Sequence, residues 1–414
     1  MKFTYKHTLF ASFTGYITQA IVNNLAPLLF ATFQREFSIS IDKIGYIIFM
    51  NFFVQIIVDM SAAKYADKIG YRKCVCFALF LNVLGLAGLG TLPYIFNNAY
   101  GAIMCSVIVS AIGGGLLEVV ISPIVEALPG DAKSAKMSLL HSFYCWGQVA
   151  VVLISTAYFV VFGVQNWRYL CFIWALVPLF NIFMFLNVPL CKLLEEEHKV
   201  PFKKLAKHKM FWVFFALMIC AGASELAMSQ WSSLFAEVGL KVSKSVGDIL
   251  GMCMFAALMG ISRVYFGLSG DKIKIENGLL ISSVICIISY LLTAFSHNAF
   301  LALIGCGLCG LGVGLMWPGT YSLSSKFFPG GGTAMFAMLA FAGDIGCTAG
   351  PTIVGNISDM IQRHNINFLP NLIFGSDMTE IGLKTGLALS CVFPVVMLVL
   401  VLALKKRLKT KNKI

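Results

Sequence analysis

Three carboxylates stand in stretches that otherwise carry almost nothing polar. Glu118 lies in IGGGLLEVVISPIVE, Glu225 in CAGASELAMSQW and Asp344 in AFAGDIGCTAGP. No basic residue falls in the apolar middle of these segments, and Arg168 and Arg263 lie nearer segment ends. Burial favours the neutral form of an unpaired carboxyl group, so each is expected to be protonatable and to serve as a proton carrier. Gly114 and Gly115 precede Glu118 by about one helical turn, and Ser122 extends the same face. A further polar stripe, His141, Tyr144 and Gln148, recurs at i, i+3 and i+7, the spacing of one helix face. Ser229 and Ser232 share a face with Glu225. Trp317 and Tyr321 stand one turn apart around Pro318 and Gly319, which can kink a helix, and their rings suit a pyranose. A structural hydrogen-bonded role competes with the proton role at each acid, most evenly at Glu225 and Asp344. Aromatic packing competes at Trp317 and Tyr321.

The elements that must hold these residues follow from composition. The 414 residues are 58% hydrophobic and 12% charged, with a mean hydropathy of +0.84. These values lie outside the range of soluble domains and define a membrane protein. Apolar runs long enough to cross a bilayer as helices recur throughout, and we place twelve: 8–33, 42–63, 74–92, 98–127, 136–162, 167–190, 209–237, 245–267, 276–295, 299–325, 332–358 and 382–405. Long unbroken runs exclude a barrel of short alternating strands. The fold class is therefore an all-α integral membrane protein of twelve helices in two six-helix, pseudo-symmetric bundles.

Of the 31 basic residues, about 24 fall on the cytoplasmic side when both termini are placed inside, by the positive-inside rule. The +12 formal charge is thus a topological address that meets anionic lipid, and no nucleic-acid partner is expected. The thirteen cysteines lack paired ligand spacing. Cys306 and Cys309 form a C-x-x-C with no second pair, so no metal is expected and the thiols read as small apolar filler. The first span is too long for a signal peptide and is expected to be retained.

The charged segment CKLLEEEHKVPFKKLAKHK from Cys191 divides the chain into residues 1–190, a linker 191–208 and residues 209–414. AKYADKIGYRK follows the second span and FGLSGDKIK the eighth, so Asp67-Lys68 and Asp271-Lys272 repeat half a chain apart.

Asp67, Lys68, Gly70, Arg72 and Lys73 resemble the loop signature of the major facilitator superfamily, D-[RK]-x-G-x-[RK]-[RK], with the leading glycine replaced. The second copy keeps Gly267, Asp271 and Lys272 but loses the basic pair. The resemblance implies that these residues brace the cytoplasmic helix ends as a gate. GGGLLEVVISPIVEAL is similar to the fourth helix of fucose-permease-like sugar:proton symporters, G-x-x-x-L-E-T-x-x-N-P-x-V. Glu118 matches the proton-coupling acid, Pro123 the proline, and Ser122 replaces the asparagine. His141 and Tyr144 fall where that family has sugar-contacting positions. The family's acid on helix one is missing, and Asn23 and Asn24 stand in that region, where amides can exchange hydrogen bonds with hydroxyls.

What the resemblance implies is a monomeric secondary transporter of the inner membrane, both termini cytoplasmic, working by rocker-switch alternating access. The expected substrate is a small neutral solute such as a sugar, with the proton as coupling ion and no cofactor. A proton-coupled exporter of drugs or metabolites is the alternative, although helix four lacks an arginine and helix five lacks the exporter glycine run. Gly343-Asp344 lacks the partners of an aspartyl membrane protease, so no enzyme is expected, and no loop is long enough for a receptor's sensory domain.

Overall fold

The computed structural model describes residues 3–129, 133–191, 205–269, 274–328, 332–366, 373 and 375–411. Six long helices form the first half: α1 (Tyr5–Phe37), α2 (Ile41–Ile69), α3 (Tyr71–Ile95), α4 (Ala99–Glu126), α5 (Lys133–Phe162) and α6 (Trp167–Asn187). Six more follow: α7 (Lys209–Gly239), α8 (Lys244–Phe266), α9 (Ile275–Phe295), α10 (Ala299–Phe327), α11 (Gly332–His364) and α12 (Met378–Arg407). The chain divides into two compact units, Met1–Glu195 and Glu196–Ile414. Most of the charged linker, Asp271 and Lys272 lie outside the described residues.

Eleven of these helices are long and apolar enough to span a membrane, and α1 is the twelfth long helix. Its hydropathy is lowered by Gln19, Asn23 and Asn24, all buried within the fold. The helix with the weakest membrane signal is therefore the one with most polar chemistry at its middle.

Packing repeats between the halves. In the first, α1 packs on α4 and α5, α2 on α4, and α3 on α4 and α6; in the second, α7 packs on α10 and α11, α8 on α10, and α9 on α10 and α12. The same pairings thus recur six helices later, as a parallel repeat requires. Small residues set the closest approaches. A Cβ on Gly346 of α11 would meet the Ile219 carbonyl of α7 at 2.1 Å, and one on Gly222 of α7 would meet the Gly343 carbonyl of α11 at 2.2 Å.

Two late helices break before prolines. α10 is interrupted at Gly314 and Leu315, and Pro318 leaves the Gly314 carbonyl without its i+4 donor. The break thus comes one turn before the Pro318–Gly319 pair that marks it in the sequence. α12 is interrupted at Cys391, three residues before Pro394. In α7 the turn at Gln230 and Trp231 passes into a π-helical end, and the buried Trp231 indole donates to the Pro351 carbonyl of α11 at 2.9 Å.

Candidate functional site

The first half gathers its polar side chains at mid-helix. On α1, Gln19 and Asn23 share a face at i, i+4; on α2, Asn51, Gln55 and Asp59 share one at i, i+4, i+8. Gln19 Nε2 donates to Gln55 Oε1 at 3.0 Å and to Glu118 Oε2 at 3.2 Å. Asn23 Oδ1 accepts from Gln55 Nε2 at 2.9 Å and from Asn51 Nδ2 at 3.1 Å. Asn23 Nδ2 reaches the Tyr144 hydroxyl of α5 at 3.4 Å. One continuous amide network therefore runs from Tyr144 to the Glu118 carboxylate.

Glycines of α4 make room for it. A Cβ on Gly114 would sit 2.8 Å from Gln19 Oε1, and one on Gly115 would sit 2.9 Å from Asp59 Oδ1. Gln19 Oε1 is buried and accepts no hydrogen bond within the protein. Beside it, the Tyr16 and Ser122 hydroxyls bond at 2.9 Å, and the His141 ring meets Tyr16 edge-on at 5.3 Å between centroids. Glu118 and His141 keep accessible surface although both lie within spans, whereas Gln148 is buried. Asn24 differs from Asn23: its amide donates to the Ala20 carbonyl of its own helix at 2.9 Å, outside the network.

Gln19, Asn51, Gln55 and Asp59 are site residues that sequence reasoning missed. The signal was present, because NFFVQIIVD carries its polar residues every fourth position inside an apolar run. The neutral side chains of Gln19, Asn51 and Gln55 draw less notice than an acid, and Asp59 stands toward the end of its apolar run.

The second half corrects one expectation. Glu225 has a basic partner: Arg263 of α8 places its guanidinium 3.7 Å from Glu225 Oε2. In linear sequence Arg263 lies toward the end of its span, but packing sets it beside the middle of α7. Ser229 is buried, and its carbonyl accepts from Ser232 Oγ at 3.0 Å. Trp317 and Tyr321 lie 6.4 Å apart, and Tyr321 continues to Phe336 at 5.4 Å. Gly343 allows this aromatic run to touch α11, since a Cβ there would overlap the Trp317 ring at 2.2 Å. Asp344, the next residue, is half-buried.

At the α2–α3 turn, Gly70 adopts φ +95°, a left-handed conformation that favours glycine. Arg72 donates to the Phe185 and Val188 carbonyls at the end of α6, the latter at 2.7 Å, while Lys68 and Lys73 are exposed. Asp67 lies in the last helical stretch of α2. All thirteen cysteines are free, and among the described residues no cluster of His, Cys, Asp and Glu suits a metal ion.

Two bundles of six helices with repeating packings define a transporter fold, and residues 8–351 match the model of the Major Facilitator Superfamily. The chain belongs to that superfamily, whose members are transporters rather than enzymes. It is 27% identical over 137 residues to the L-fucose-proton symporter of Escherichia coli strain K12, a match covering 33% of this chain and 31% of that protein. It is 22% identical over 370 residues to the probable nitrate transporter NarT of Staphylococcus epidermidis, covering 87% of this chain and 90% of the relative. Among solved structures, the E. coli fucose:proton symporter FucP, in a point-mutant form, superposes with TM-score 0.64 at 16% identity, over 95% of this chain and 97% of that one. The nucleoside transporter NupG, also in a point-mutant form, gives 0.75 at 13% identity, over 96% and 98%. These superpositions show the fold.

Proposed function

We propose that this protein symports a small hydroxylated solute, a sugar first among candidates, with a proton by alternating access. The observation that carries the reading is the Glu118 carboxylate, accessible within the α4 span and tied through Gln19 to a network of amides. Amides both donate and accept, which suits hydroxyls that do the same. The partial match to the L-fucose-proton symporter supports the assignment.

Gln19 supplies a physical link between proton and solute. With Glu118 ionised, Gln19 Nε2 donates to it. Once protonated, Glu118 becomes a donor and favours the amide oxygen, which is without an acceptor's partner. Rotating that amide exchanges the partners offered to Gln55, and Gln55 is bonded to Asn23. Protonation thereby rewires the same groups that would hold hydroxyls.

In this reading Glu225 and Asp344 are further candidates for proton exchange, and Asn23, Tyr144, His141, Gln148, Ser229, Trp317 and Tyr321 for solute contact. Asp67, Lys68, Gly70, Arg72, Lys73, Asp271 and Lys272 form the gate, with both termini cytoplasmic and the chain acting as a monomer in the inner membrane. The test is solute-induced proton movement in proteoliposomes containing a pH dye, with neutral sugars, nucleosides and organic cations as solutes. A sugar that alkalinises the outer medium, with the flux abolished in Glu118→Gln, is the expected result. Proton movement in the opposite direction, driven by organic cations alone, overturns symport in favour of export.

A further inference from the structure

We infer that Arg168, at the start of α6, is a binding site for the phosphate of an anionic phospholipid, with the rings of Tyr94 and Tyr169 as its walls. The inference rests on the chain spanning a membrane and is independent of the solute and of Glu118.

The site begins with a close approach of α3 and α6. A Cβ on Gly90 of α3 would meet the Arg168 carbonyl at 2.7 Å, so the glycine lets the two backbones touch. One turn further along α3, Tyr94 lies beside the Arg168 side chain, whose guanidinium stands 4.5 Å from that ring's centroid and 5.5 Å from that of Tyr169. Both distances are within cation–π range, and such contacts orient the plane of a guanidinium. Tyr94 is itself fixed, because its hydroxyl donates to Glu36 Oε1 at 2.5 Å. The Trp167 indole donates to Glu36 Oε2 at 2.7 Å, so both oxygens of the neighbouring acid are engaged by groups other than Arg168.

Arg168 is left without an anion. Among the described residues no carboxylate lies within ion-pair distance of it, and its Nε is buried with no acceptor, whereas its Nη nitrogens are not buried. Aromatic faces attract a cation but give its N–H groups no oxygen to bond. The position sharpens the need, since α6 carries no acid in its first turn, where the helix dipole disfavours a cation. Nor does the positive-inside rule account for the charge, because Arg168 and the Arg72 turn lie at opposite ends of α3 and α6.

The surface in front of the site fits a lipid. Tyr169, Phe172, Leu176, Phe180 and Phe183 are exposed at steps of three or four residues, a largely apolar stripe down α6 that starts beside Arg168. In a membrane such a stripe faces acyl chains, and a tyrosine and an arginine at its head stand at headgroup level. A phospholipid lying along the stripe brings its phosphate to the guanidinium, which offers donors to the phosphate oxygens. A zwitterionic lipid carries its own cation, so neutralising Arg168 calls for an anionic headgroup. A free phosphate has the same oxygens but nothing to lay against the stripe. With both termini cytoplasmic, as proposed above, the lipid belongs to the outer leaflet.

The test is native mass spectrometry of the full chain, delipidated in detergent, with phosphatidylglycerol, phosphatidylcholine and inorganic phosphate as probes. Expected is a first phosphatidylglycerol bound about fivefold more tightly than phosphatidylcholine, the factor that one interfacial basic residue supplies. Arg168→Gln removes this preference, and Tyr169→Leu, at an exposed position where folding is not at stake, lowers it by about twofold or more. Lys43→Gln removes another basic residue from the same end, where Lys43 stands 5.3 Å from the Tyr100 ring, and keeps the preference. Thermal unfolding checks that each variant is folded, and Tyr169→Leu carries the test if Arg168→Gln is not. Equal affinity for the two lipids, a preference that survives Arg168→Gln or is unchanged in Tyr169→Leu, or an equal loss in Lys43→Gln overturns the inference. Inorganic phosphate that binds the wild type and displaces the lipid overturns the lipid assignment in favour of a soluble anion.

Discussion

Asn23→Ala removes the acceptor shared by two amides, Gln55 at 2.9 Å and Asn51 at 3.1 Å, together with a weaker donor contact to Tyr144 at 3.4 Å. Hydrogen bonds between membrane helices contribute on average about 0.6 kcal/mol and at most about 1.7. Two lost acceptor contacts therefore destabilise the protein by about 1–3 kcal/mol. Gln55→Ala loses its donor to Asn23 and its acceptor for Gln19, and falls in a similar range. The bond the two share is lost once in the double variant but counted in both singles, so the cycle returns a coupling of about 0.5–1.5 kcal/mol. Unfolding in mixed dodecylmaltoside and SDS micelles measures it, with thiol labelling of the buried Cys74 and Cys145 as the probe in the same half. Costs that add to within about 0.3 kcal/mol refute the network, because independent sites add.

Gly70→Ala meets no atom within 4 Å, so its cost is purely conformational, about 1–3 kcal/mol for an L-residue at φ +95°. Wild-type thermal stability in that variant disproves the turn. Gly346→Ala drives a methyl onto the Ile219 carbonyl and separates α7 from α11, lowering stability by about 1–3 kcal/mol, whereas alanine at an exposed helix position leaves the unfolding temperature unchanged. At Asp377, burial pushes the carboxyl up, but Lys241 and the Glu380 and Thr379 amides more than offset it and hold it below the usual range. A depressed carboxyl stabilises above its unfolded value of about 3.9 and loses that contribution as pH falls through the folded value. The difference in unfolding temperature between wild type and Asp377→Asn is expected to be constant from pH 7 to about pH 5, to shrink as pH falls below about 4 and to vanish only once pH lies below the folded value. A difference that stays the same from pH 7 down to about pH 2 rejects the pair's role.

The spans were legible because length and hydropathy alone decide which segments can cross a bilayer. The pairings were not, since they depend on where glycines such as Gly222 and Gly346 let backbones meet. At the site, Glu118 announced itself by its cost in an apolar run. Its partner Gln19 did not, because a neutral amide inserts more cheaply and gains meaning only when α2 and α4 converge on it. Arg263 was read as an end-of-span residue from its place in the linear sequence. Depth in the membrane is set instead by how α8 lies against α7, and only the folded half brings the guanidinium to Glu225.

Shared packing with divergent chemistry is what a duplicated transporter needs if its halves are to move alike yet recognise different groups. In the first half, equivalent helices meet through neutral amides: Gln19 of α1 faces Gln55 of α2. In the second, α7 and α8 meet through Glu225 and Arg263. Amide pairs exchange partners at little electrostatic cost, so they suit hydroxyls that bind and leave. A buried ion pair is different, because removing either charge leaves the other exposed to a large penalty. A change of charge at either residue must therefore be met by a compensating change beside it. Glu225→Gln, which takes the carboxylate charge from beside Arg263, is therefore expected to lower the unfolding temperature, and an unchanged value refutes the pair's part in stability.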